Sequence, residues 1–120
     1  MAQYILKGHD IVLCEDWMDW ALWFGGTDRA VARDVIVRKD ADTVTISTVF
    51  LGRDANLVDS WPPFVFESMV FGGPLDGLAH HYCTWEEAES GHRHLLAESV
   101  TEGELATWEF ETKLNRFHRY

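Results

Sequence analysis

The chain has 120 residues, 47% of them hydrophobic and 25% charged, an ordinary globular composition with room for one domain over 1–120 and no need of disulfide or metal staples. Twenty acidic against 10 basic residues leave a formal charge of −10; this disfavours direct binding of nucleic acid or an anionic membrane, since both call on Lys and Arg to replace counterions. No apolar run approaches the roughly 20 residues of a spanning helix, no charged-then-apolar leader opens the chain, and Cys14 and Cys83 form no paired motif, so a cytoplasmic protein with free thiols and no cofactor is expected.

Tyr4 to Leu6 and Ile11 to Leu13 are short apolar runs around the turn-like Lys7-Gly8-His9-Asp10, which predicts a hairpin or an edge strand with a return. Asp16 fits a helix N-cap, its carboxylate accepting the first free N–H groups. Trp17, Trp20 and Phe24 then recur at i, i+3 and i+7, an aromatic face expected in the core. Trp23 lies on a neighbouring stripe; exposed, it would mark a partner or ligand surface. Gly25-Gly26 predicts a helix stop in the left-handed conformation.

Val31 to Arg38 and Thr43 to Leu51 are rich in β-branched residues, with Lys39-Asp40-Ala41-Asp42 as a hairpin loop between them. In the second run Val44, Ile46, Thr48 and Phe50 point one way. Pro62-Pro63 cannot continue a ladder, so the next strand is expected from Phe64 to Phe71, apolar nearly throughout and covered on both faces. Gly72-Gly73-Pro74-Leu75-Asp76-Gly77 breaks the chain. Thr84-Trp85-Glu86-Glu87 fits a capping box, followed by a helical stripe of Trp85, Ala88, His92, Leu95 and Ser99 that Gly91 interrupts. From Leu105 to Phe117 the pattern alternates like a strand at Trp108 and Phe110 and recurs like a helix at Phe110, Leu114 and Phe117; its length favours the helix. The fold class expected is α+β: an antiparallel β-meander of three or more strands with two to three helices against it.

His80, His81, Cys83, His92 and His94 offer zinc-type donors at a poor spacing, because His92 and His94, two apart on a helix, point in different directions. No metal site is expected. His92 on the apolar stripe reads as a half-buried histidine bonded to a strand or loop, and it is the best single candidate for a titrating group. Glu67 interrupts an apolar strand and needs a partner, either a cross-strand cation such as Arg33 or Arg38 or a place beside Asp54, Asp76 and His92 in a polar pocket. The loops that follow the strands supply Asp54 and Asp76. No nucleophile–base pair or phosphate loop is recognisable. Between Thr84 and Glu111 there are eight acidic residues, among them Glu86, Glu89 and Glu98, and one basic residue, Arg93. Such a face is either simply solvated or docks on a basic surface.

Ser47-Thr48-Val49-Phe50-Leu51-Gly52, then Phe66-Glu67-Ser68-Met69-Val70-Phe71-Gly72-Gly73-Pro74-Leu75-Asp76-Gly77, with Tyr82 and Thr84-Trp85-Glu86-Glu87-Ala88-Glu89-Ser90-Gly91-His92, resembles a family of small proteins of tailed phages and prophages. The likeness runs from the Trp helix through His92, and the stretch from Leu95 onward departs from it. That family brings no established activity, so the resemblance implies a setting rather than a chemistry. The reading that follows is a non-catalytic protein that binds a basic host or phage protein, including as an inhibitor of host machinery or defence. The alternatives are a small-ligand-binding module or a small hydrolase using Asp54, Glu67, Asp76 and His92. A homodimer is compatible with either.

Overall fold

The computed structural model describes residues 2–37 and 43–100. It is an α+β fold. A hairpin of β1 (Tyr4–Lys7) and β2 (Asp10–Leu13) precedes helix α1 (Trp17–Gly26). An antiparallel meander then follows in the order β3 (Ala30–Ile36), β4 (Val44–Phe50), β5 (Phe66–Phe71) and β6 (Ala79–Tyr82), and helix α2 (Trp85–Glu98) lies across one face of it. The expected loop at Lys39–Asp42, Arg38 and the stretch Leu105–Phe117 lie outside the described residues. Among the described residues no helix is long and apolar enough to cross a membrane.

Both helix starts follow from their caps. Asp16 Oδ1 accepts from the N–H groups of Met18 and Asp19, and Thr84 Oγ1 accepts from that of Glu87. Helix α1 departs from expectation in two respects. It buries no residue fully, and Trp17 remains 63% exposed, because the helix rests mainly on β1 and the Gly52 turn rather than on the sheet. Trp20 and Phe24 pack together there, with Arg53 over the first ring and Arg29 over the second. Gly25 and Gly26 remain helical, and the chain leaves through Thr27 in extended conformation, so they are not the left-handed stop.

The meander buries alternate residues. Val44, Ile46, Thr48 and Phe50 of β4 and Phe66, Ser68 and Val70 of β5 face α2. Strand β5 was expected to be covered on both faces, but its other face carries the half-buried Glu67 and Met69 and the half-exposed Phe71, because the described residues put a helix on one side only. It also begins at Phe66, two residues later than expected. Strand β6 was not expected, since Ala79-His80-His81-Tyr82 has little β signature. After β5, Gly72 (φ +89°) turns the chain so tightly that a side chain there would meet the Thr43 carbonyl.

Two apolar clusters form the core. Tyr4, Val31, Phe50, Val65, Phe66 and Ala88 make one, and Ile36, Val44, Ile46, Val70, Leu95 and Leu96 the other. Each large side chain fully buried there contributes about 1.5–3 kcal/mol. Between them runs a polar rung, one residue from each element: Asp34 of β3, Thr48 of β4, Ser68 of β5 and His92 of α2, all essentially inaccessible. Thr48 and Ser68 are register partners.

Candidate functional site

The polar rung is a chain of short hydrogen bonds. The imidazole joins Asp34 Oδ2 at Nε2 (2.7 Å) and Thr48 Oγ1 at Nδ1 (2.7 Å), and Thr48 Oγ1 meets Ser68 Oγ at 2.5 Å. A carboxylate, an imidazole and two hydroxyls in series resemble acid–base machinery. All four are sealed from solvent, so the arrangement acts here as a buried clamp of α2 onto three strands. Asp34 Oδ1 has no hydrogen-bond partner among the described residues. Beside the rung, Tyr82 lies against Gly91, and its ring fills the space a side chain at 91 would need. Burial raises the Tyr82 phenol above its ordinary value; Ser68 opposes the shift and Glu98 adds to it.

The structure does not assemble Asp54, Glu67, Asp76 and His92 around one pocket. Asp54 is a loop organiser. Its buried carboxylate accepts from the N–H groups of Asn56 (3.0 Å), Ser60 (2.7 Å) and Phe64 (3.2 Å) and from Ser60 Oγ (2.7 Å). Desolvation raises its pKa, but these bonds to the ionised form outweigh it, and the net shift is downward. Asp76 caps the turn after β5 by accepting from the Gly72 N–H at 2.7 Å. Glu67 does pair across strands, and its partner among the described residues is His81 of β6, at 2.8 Å. Arg33 is opposite Ser47, two strands from Glu67. Glu67 and His92 also lie on opposite faces, since the neighbouring Ser68 is the residue turned towards the helix. His92 is fully rather than half buried, and His94 is exposed. No three His, Cys, Asp or Glu side chains among the described residues are grouped to hold a metal ion. Burial, then Glu87 and Asp54, raise the Cys83 thiol above its ordinary value, so it is not an activated nucleophile.

Two other expected residues do meet. A cleft of about 550 Å³ opens between the β1–β2 turn, the end of α1 and the start of α2, with Trp23 and Glu89 in its lining. Its size is in the range of small-ligand sites. Leu6, Ala30 and Val31 contribute apolar lining, and His9, Asp28 and Trp85 join the two expected residues around it. The His9 ring, on the hairpin turn, lies flat on the Trp85 indole, with centroids 3.9 Å apart and planes 7° from parallel. Both tryptophans are braced edge-on by the core, Trp23 against Phe50 and Trp85 against Phe66. Trp85 Nε1 donates to Glu89 Oε1 at 2.5 Å, which fixes that carboxylate one turn into the helix. Asp28 Oδ1 accepts from the Ala30 N–H at 3.0 Å. Glu86 and Glu98 are exposed near opposite ends of α2 and line neither this cleft nor a smaller hollow of about 310 Å³ beside Phe64 and His81.

Nothing in the residue pattern singles out His9 or Asp28, which reach the cleft only through tertiary packing. Asp34 and Ser68 could have been sought, because Thr48 on an inward face needs a buried polar partner. In comparisons with known proteins, no family model, no curated protein and no solved structure matches this chain.

Proposed function

We propose that this chain is a non-catalytic binding module whose ligand seat is the cleft between the hairpin turn, the end of α1 and the start of α2. The observation that carries the reading is the concave site itself: two core-braced tryptophans and a stacked histidine over an apolar lining, with carboxylates fixed beside them. Against catalysis stands the burial of the carboxylate–imidazole–hydroxyl series of Asp34, His92, Thr48 and Ser68, which no substrate reaches in this conformation. Titration with small aromatic and amine probes, followed by NMR, should shift the indole N–H signals of Trp23 and Trp85, and Trp23→Ala should abolish the response. Shifts confined to other regions would refute the assignment.

A second reading, docking on a host or phage protein with a basic surface, is favoured by the loop that Asp54 organises. That loop presents Leu57, Val58 and Trp61 at 95%, 79% and 84% exposure, an apolar tip of the kind that anchors interfaces. Glu86 and Glu98 on α2 would add charge complementarity. Under this reading Trp61→Ser weakens the complex while leaving the fold intact.

A further inference from the structure

We propose that the group seated in the cleft is an organic cation, an ammonium or guanidinium attached to a compact apolar or flat body. The inference rests on the cleft being the ligand seat and adds the chemistry of what fills it. Trp23 and Trp85 put indole rings in the lining, and the electron-rich π system of such a ring attracts a cation desolvated against it. Asp28 and Glu89 bring full negative charge, and among the described residues no Lys or Arg lines the cleft. An anion would therefore meet two carboxylates with no Lys or Arg beside them in the described lining. A neutral ligand would strip water from both without replacing it, a cost that a cation offsets. Arg93 reaches Glu89 Oε2 only at 3.8 Å, a loose exposed i,i+4 pair that does little to cancel the charge.

Geometry supports the same choice. The Glu89 carboxylate is tethered by the Trp85 indole N–H, so charge and ring are held side by side before any ligand arrives. The flat His9 ring already covers one face of Trp85 at van der Waals distance, so a ligand cation is left to the Trp23 ring and the two carboxylates. With a chain charge of −10, the long-range field also draws cations in.

The test uses three probes of nearly equal shape, benzylammonium, benzyl alcohol and benzoate, titrated into the whole chain and read by the indole N–H shifts of Trp23 and Trp85. Benzylammonium should bind about tenfold more tightly than benzyl alcohol, and benzoate should not bind. In Glu89→Gln/Asp28→Asn, whose amide oxygens can keep the bonds to the Trp85 and Ala30 N–H groups, that preference should shrink to about twofold or less. A thermal melt of the variant checks folding, and if it fails the wild-type series alone decides. Adding N-acetyl-arginine methylamide separates two sources of the cation: tighter binding than benzylammonium points to a peptide side chain, weaker binding to a free amine, and both support the proposal. If benzyl alcohol or benzoate binds as well as benzylammonium, the cation assignment is overturned while the cleft stands. If no probe moves either indole, both fall.

Discussion

Replacing Asp54 by asparagine removes one charge and one acceptor from the loop that carries Trp61. In the native chain Oδ1 serves the N–H groups of Asn56 and Phe64, while Oδ2 serves the N–H and hydroxyl of Ser60. With the amide oxygen kept on the Asn56 side, the new NH₂ faces the Ser60 N–H donor to donor, and only the Ser60 hydroxyl can turn to accept. One part-buried backbone donor is left without its partner, which costs about 2 kcal/mol. Asp54→Ala strips all four bonds and should cost about 3–4 kcal/mol, limited by rehydration of the exposed residues around Leu57. Urea unfolding at neutral pH reads the first value directly, and the corresponding fall in melting temperature is roughly 8 °C. The folded pKa of Asp54 lies below the ordinary 3.8, so the carboxylate's contribution is present above 3.8 and is lost as pH falls through the folded value. The gap between wild type and Asp54→Asn should thus be constant from neutral pH to about 4 and close below it. Hydrogen exchange at the Ser60 amide should speed up in both variants. An asparagine variant as stable as wild type, or a gap unchanged at the acid limit, would refute the reasoning.

Two further substitutions probe the clamp. Gly91→Ala places a methyl group in the Tyr82 ring, so it should destabilise by about 1–3 kcal/mol even though alanine favours a helix by about 1 kcal/mol; trimming the ring in Gly91→Ala/Tyr82→Leu should recover part of the loss in thermal melts. His92→Leu leaves neither oxygen of the buried Asp34 carboxylate bonded within the described residues and should cost about 3–5 kcal/mol in urea unfolding, whereas Asp34→Leu/His92→Leu should cost less than the single change; a neutral His92→Leu contradicts the clamp.

Elements with a strong local code were legible from the residues alone. The Asp16 and Thr84 caps, the inward set Val44, Ile46, Thr48 and Phe50, and the α2 stripe through His92 all follow from side-chain chemistry and period. The failures share a cause, which is dependence on partners distant in sequence. Whether Trp17 is buried depends on what α1 leans against, and β6 exists because β5 offers an edge to pair with. The site was legible one residue at a time. Trp23 and Glu89 stood out for reasons of exposure and charge, but only the docking of the hairpin turn onto Trp85 brings them into one cleft. Glu67 in an apolar strand does require a cross-strand partner, and a histidine on an unexpected strand supplies it.

Helix α2 carries the cleft and the clamp on a single rod. Trp85 and Glu89 occupy its first turns, and Gly91 and His92, immediately beyond, are pinned to Tyr82 and to the polar rung. A pinned rod cannot tilt to widen the cleft without breaking buried hydrogen bonds, so the walls hold their spacing whether or not a ligand is bound. Such a seat selects by shape and charge rather than by adapting, and little ordering of α2 remains to be lost on binding. It also separates two evolutionary freedoms: the residues facing the ligand can change its identity while the midpoint of the helix keeps the frame unchanged.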